Sequence, residues 1–186
     1  MRTVIGEPID RVEDITTPPP RDPIEPVLAI GDSILVGARN HGDLDARLSA
    51  AGWIPEIVAE IGKSVNWAIP VVEQRNEVPR TVVVVLGSNP GPGLGAFPDE
   101  IARLVAALRE RGARRIIWIP PAHVDPTRYA ERVHALDQAA RLEVPPWQKL
   151  IDNDPGLVGG DGLHLTANGY QLLAAFITAT VGSPDR

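Results

Sequence analysis

The sequence predicts an α/β fold: a three-layer α/β/α sandwich around a five-stranded parallel sheet. Two observations carry this reading. From Val27 onward, short apolar runs alternate with longer amphipathic stretches, the pattern of strands crossed over by helices. The run "TVVVVLG" (81–87) is β-branched with no polar alternation, as expected of a strand covered on both faces. The 186 residues are 44 % hydrophobic and 23 % charged, ordinary values for one globular domain with a sizeable core.

Each element has its own signal. "VLAI" (27–30) reads as a buried first strand, followed by a helical region over 33–51. "IPEIVAE" (54–60) is the second strand, with a helix over 66–75 after it. The third strand leads to a helix over 98–111. Pro98 suits its first turn, and Ile101, Leu104, Val105 and Leu108 form one stripe. "RRIIWIP" (114–120) is the fourth strand, with a helix over 126–142 behind it. A short fifth strand is expected near "WQKLID" (147–152), and a last helix over 166–181 with Thr166 as its cap. Residues 1–26 hold six of the 19 prolines and show no periodicity, so they read as an extended arm or linker ahead of a domain over 27–183. Such an arm suits attachment to a larger polypeptide or a partner.

Several function classes are disfavoured. A formal net charge of −6 argues against a nucleic-acid binder, and the one dense basic run, "RERGARR" (109–115), reads as a solvated helix end. No cysteine is present, which removes disulfides, zinc–thiolate sites and thiol catalysis. No window has the apolar length of a membrane span, and the amino terminus lacks a signal-peptide core. The expectation is a cytoplasmic protein as given, or one domain of a longer exported chain. No metal or organic cofactor is implied.

In a parallel sheet, ligands bind beyond the carboxyl ends of the strands. Polar punctuation falls at those ends: Gly31-Asp32-Ser33 after the first strand, Gly62-Lys63-Ser64 after the second, Gly87-Ser88-Asn89 after the third. Before the last helix comes Asp161-Gly162-Leu163-His164. Taken singly, each has a plain structural reading. Ser33 could cap a helix, Asn89 could serve a turn, His164 could be a hydrogen-bonded structural imidazole, and "GGDG" around Asp161 is turn-like. A serine hydroxyl beside a histidine that an acid orients is the alternative, because serine is a weak nucleophile until a base takes its proton. Asp32, the neighbour of Ser33, reads as a structural group that holds the turn.

The four blocks in this order resemble those of the SGNH hydrolases, the GDSL-type esterases and lipases, and the resemblance spans about Val27 to Val181. It implies a flavodoxin-like topology with Ser33 as nucleophile and Asp161 and His164 completing a triad. It further implies an oxyanion hole made by the Ser33 N–H, the Gly62 N–H and the Asn89 amide. Ile34 and Trp67, with the loops over 90–97 and 121–127, are expected to bound the substrate pocket. The ending "DGLHLTANGY" is similar to members that remove or transfer acetyl groups on carbohydrates, which implies a small acyl group on a sugar or glycan. Acyl transfer by the same triad, cleavage of thioesters or lysophospholipids, and a non-catalytic binding module are the alternatives.

Other motifs fail on spacing. "GKS" (62–64) would need a glycine where Ile57 stands to be a phosphate loop, and "GPGLG" (91–95) lacks dinucleotide-loop spacing. "DNDPG" (152–156) lacks the later glutamate of a calcium loop. Leu35 occupies the final glycine of a G-x-S-x-G elbow. Pro90 follows Asn89, where the family commonly has aspartate, and Lys63 sets a positive charge beside the second block.

Overall fold

The computed structural model describes residues 25–89, 97–122, 134, 136 and 142–184. The arm through residue 24, the glycine-rich loop over 91–95 and nearly all of the helix expected over 126–142 lie outside these residues.

Four parallel strands form the sheet: β1 (Glu25–Gly31), β2 (Trp53–Ala59), β3 (Thr81–Val85) and β4 (Arg115–Trp118), in the order β2-β1-β3-β4. The register sets Gly31 of β1 between Ala59 of β2 and Val85 of β3, so three carboxyl ends finish level. β1 begins two residues earlier than expected. Pro26 stands ahead of the β3 pairing, which starts at Val27 against Thr81, so its missing N–H costs no ladder bond on that side.

The helices are α1 (Ser33–Gly42), α2 (Leu44–Ala50), α3 (Val65–Glu73), α4 (Phe97–Glu110), α5 (Gln148–Asn153) and α6 (Ala167–Val181). The helical region expected over 33–51 is divided into two helices at Asp43, whose φ of 53° is left-handed. A short polar side chain tolerates that region better than most.

The expected fifth strand is corrected. Residues 148–153 are helical, because Trp147, Leu150 and Ile151 follow the i, i+3, i+4 spacing of one helix face. Beside β4, the fifth-strand position shrinks to one parallel bridge at Glu143, held by Trp118 N–H to the Glu143 carbonyl (2.8 Å) and Glu143 N–H to the Ile116 carbonyl (2.9 Å). Pro145 and Pro146 follow after Val144, and proline cannot donate to a ladder.

Alternation along the strands divides the core. Val27, Ala29, Val83, Val85, Ile117 and Ile119 face the layer of α1, α2 and α6. Leu28, Ile30, Val82, Val84, Ile116 and Trp118 face α3 and α4. All twelve are at most 2 % exposed, and burying a side chain of this kind stabilises by about 1.5–3 kcal/mol. The predicted three-layer arrangement is therefore present, with four strands rather than five among the described residues.

Candidate active site

The site is assembled where β1 ends. A Cβ on Gly31 would stand 2.5 Å from Leu35 Cβ and 2.7 Å from the Val85 carbonyl oxygen, so only glycine lets the chain turn there. Asp32 follows in extended backbone and caps α1: its Oδ1 accepts from Ile34 N–H at 2.9 Å. Ser33 is thereby the first residue of α1, half-buried, at a helix amino terminus where backbone N–H groups favour negative charge.

The acid–histidine pair comes from the turn before α6. Asp161 Oδ1 accepts from the N–H groups of Leu163 (3.0 Å) and His164 (2.9 Å), winding four residues around one carboxylate. Gly162 takes φ of 71° in this turn, and Gly159 N–H donates to the His164 carbonyl at 2.6 Å. The winding brings Asp161 Oδ2 to 2.6 Å from His164 Nδ1. Across the fold, His164 Nε2 lies 3.0 Å from Ser33 Oγ. Since a carboxylate only accepts, Nδ1 carries the proton and Nε2 is left to accept from the serine hydroxyl.

The two aspartates experience opposite environments. The hydrogen bond from His164, with those from the Leu163 and His164 N–H groups, lowers the Asp161 carboxyl to about 2. Burial raises that of Asp32, opposed by hydrogen bonds from Ile34 and Ser88. Asp32 is 0 % exposed, and its Oδ2 accepts from Ser88 N–H and from Asn89 Nδ2, each at 3.3 Å. Asn89 Nδ2 also donates to the Lys63 carbonyl at 3.1 Å. With acceptors on both sides, the amide nitrogen rather than its oxygen must face them.

Thus one buried carboxylate joins the ends of β1 and β3, and Asn89 carries the link on to the loop after β2. That loop is tied in by Glu60 N–H to the Gly31 carbonyl (3.2 Å). Within it Gly62 has φ of 77° and open space where a side chain would stand. Lys63 does not present a free charge, because its ammonium pairs with Glu60 at 2.7 Å.

Ser33, Asp161 and His164 are brought into one hydrogen-bonded line, and Gly62 and Asn89 lie on adjoining loops. Ile34 is 3 % exposed in the α1–α6 layer, whereas Trp67 is half-buried against the α3–α4 layer, so the two sit on opposite faces of the sheet. The loop positions expected around them, 90–96 and 123–127, lie outside the described residues. Sequence reading missed the Ser88 and Asn89 contacts of Asp32 and the role of the Lys63 carbonyl. A carbonyl leaves no sequence signal, but an acid directly after a buried apolar strand was a visible one. Among the described residues no group of three or more histidine, aspartate or glutamate side chains could hold a metal ion. No described helix is long and apolar enough to cross a membrane.

No family model matches the chain, and no curated protein matches it. Solved structures do. The C-terminal catalytic domain of Streptococcus pneumoniae peptidoglycan O-acetyltransferase A is 21 % identical with a TM-score of 0.64, over 85 % of this chain and 92 % of that one. The psychrotrophic esterase EstA from a Pseudoalteromonas species is 18 % identical with a TM-score of 0.60, over 85 % and 97 %. A Clostridium thermocellum family 3 carbohydrate esterase is 14 % identical with a TM-score of 0.60, over 86 % and 99 %. With its 2-1-3-4 parallel sheet and helices on both faces, the chain has the fold that its resemblance to the SGNH hydrolases implied.

Proposed function

We propose that this protein is a serine ester hydrolase that works through an acyl-enzyme and removes small acyl groups, acetyl above all, from a carbohydrate or glycan. The observation that carries the proposal is the line from Ser33 Oγ through the imidazole of His164 to Asp161, with spacings of 3.0 and 2.6 Å. His164 Nε2 takes the Ser33 proton as Oγ attacks the ester carbonyl. The resulting oxyanion is stabilised by the Ser33 and Gly62 N–H groups and by the Asn89 amide, whose bond to the oxyanion replaces one of those to Asp32 and the Lys63 carbonyl. The C–O bond to the alcohol breaks, and the alcohol leaves with the proton that His164 held. Water then attacks the acyl-serine with the same base, releasing the carboxylic acid and restoring Ser33. Asp161, ionised throughout because its carboxyl is held at about 2, keeps Nδ1 protonated and the ring aimed at the serine.

The acetyl preference rests on what the similar proteins act on: one is an O-acetyltransferase of peptidoglycan and one a carbohydrate esterase. The first of these also favours a second reading, in which an acceptor alcohol replaces water. Product partition with and without an added acceptor sugar separates the two. The test of the hydrolase reading is Ser33→Ala, assayed on p-nitrophenyl acetate and acetylated sugars. Turnover should fall by about 10^4- to 10^6-fold. Hydrolysis by this variant at the wild-type rate would overturn the mechanism.

A further inference from the structure

We infer that Tyr170 is a positioning residue for the Ser33–His164 pair, its ring spacing α1 from α6 and its phenol lying by the peptide that follows His164; the inference rests on the hydrolase reading above. Ser33 and His164 are 131 residues apart, so their 3.0 Å contact depends on how closely the helix bearing one approaches the turn bearing the other. That approach is set at Tyr170, in the first turn of α6, with its N–H on the carbonyl of the Thr166 cap at 2.9 Å. A methyl group on Gly37, one turn along α1 from Ser33, would overlap Cε1 and Cζ of the Tyr170 ring. Five residues on, a methyl on Gly42 would stand 2.5 Å from the Tyr170 carbonyl oxygen and 2.6 Å from Ala174 Cβ. Two glycines thus let α1 lie directly on Tyr170.

The ring is confined on its remaining sides. Tyr170 is 7 % exposed, and the His41 ring stacks against it at 5.7 Å with a 32° tilt. The Leu165 N–H, in the peptide directly after His164, and the carboxylates of Asp161 and Asp32 lie near enough to the phenol to act on it electrostatically. One side chain therefore packs its ring on the serine's helix and carries its phenol toward the histidine's turn. Interiors packed this closely do not deform gradually, and a misplacement of about 1 Å in a reacting pair can cost on the order of 10^2-fold in rate.

The test uses Tyr170→Phe, which keeps the ring and deletes the phenol, and Gly37→Ala, which wedges α1 away from it. On p-nitrophenyl acetate, Tyr170→Phe should lower kcat by about tenfold and Gly37→Ala by about a hundredfold, with KM within about twofold of wild type. Adding Tyr170→Leu to Gly37→Ala makes room for the methyl, so the double variant should recover part of the lost kcat. A role confined to stability would lower the melting temperature and leave kcat of the folded enzyme intact. The ¹⁵N resonance of His164 Nε2 reports the serine contact independently of turnover, and in both single variants it should move toward its position in Ser33→Ala. Wild-type kcat and an unmoved Nε2 resonance in Tyr170→Phe would overturn the inference, as would a Gly37→Ala defect that Tyr170→Leu leaves unrelieved. If wild type and Ser33→Ala hydrolyse esters equally, the hydrolase reading falls, and the resonance alone decides the positioning claim.

Discussion

Asp32→Asn separates the structural carboxylate from the one proposed to complete the triad. In the native fold Asp32 accepts three hydrogen bonds: from Ile34 N–H at 2.9 Å, and from Ser88 N–H and Asn89 Nδ2 at 3.3 Å each. An asparagine can keep its oxygen on Ile34 and so preserve the cap. Its NH₂ then stands where Oδ2 stood and faces two donors. A buried donor left without a partner costs about 1–3 kcal/mol. Asn89 retains its bond to the Lys63 carbonyl, so the full cost applies chiefly to Ser88 N–H. Relief of the desolvated charge offsets a part. The net expectation is a loss of about 2 kcal/mol, which for a domain of this size lowers Tm by roughly 4–8 °C. With Asn89 held at one point instead of two, kcat should fall by about tenfold, as a misplaced transition-state donor would make it. Thermal melting followed by circular dichroism and p-nitrophenyl acetate turnover are the measurements. A variant that melts within a degree of wild type and keeps its rate would refute the idea that this carboxylate ties the rim together.

Three further expectations follow from the same geometry. Asn89→Ala removes a proposed oxyanion donor and should reduce kcat by about 10^2- to 10^3-fold, which steady-state kinetics would show directly. The two aspartates should leave opposite marks on stability against pH. The Asp161 carboxyl titrates at about 2 in the fold against 3.8 unfolded, so its contribution is present above 3.8 and lost as pH falls toward 2. The Asp32 carboxyl titrates above 3.8 in the fold, so its contribution is greatest below 3.8 and is lost as pH rises through its native value. Melting series from pH 2 to 6 should show Asp161→Asn removing the first trend and Asp32→Asn the second. Finally, the Thr166 hydroxyl caps α6 through Gly169 N–H at 3.3 Å. Thr166→Ala should therefore cost about 1 kcal/mol, read by urea unfolding.

What could be read in advance was what depends on local chemistry. The valine run of β3 has one stable home, a strand between two helix layers, and the stripe of Ile101, Leu104 and Leu108 has one stable face. The residues of the Ser33–His164–Asp161 line were legible because they stand in the four blocks that carry the resemblance to the SGNH hydrolases, at the strand ends where a parallel sheet offers side chains to a ligand. What could not be read depends on contacts between distant segments. The left-handed turn at Asp43, which divides α1 from α2, carries no glycine to announce it. The strand expected near 147–152 is a helix over 148–153, and six residues are too few for the sequence pattern alone to separate the two states. Gly37 and Tyr170 look like an unremarkable pair of helix residues until the fold lays one on the other.

The two carboxylates near Ser33 show how environment, rather than proximity in the chain, assigns roles. Asp32, the serine's neighbour in the chain, reads from the sequence as a structural group that holds the turn. It is fully buried, and its lone pairs are spent on the Ile34 and Ser88 N–H groups and the Asn89 amide. An acid whose oxygens are already engaged on three sides cannot orient an imidazole without losing a contact that holds the rim. Asp161 is remote from Ser33 in the chain and more than half exposed at its side chain, but one of its oxygens is free to meet His164 Nδ1 because the other alone satisfies the turn. Burial drives one carboxyl up and hydrogen bonding drives the other down. When neighbouring carboxyls are pushed apart in this way, the one held ionised beside the imidazole is the one that can stabilise it as it becomes charged. The two aspartates therefore hold different things: Asp32 ties the rim together, and Asp161 holds the imidazole that the proposed mechanism uses.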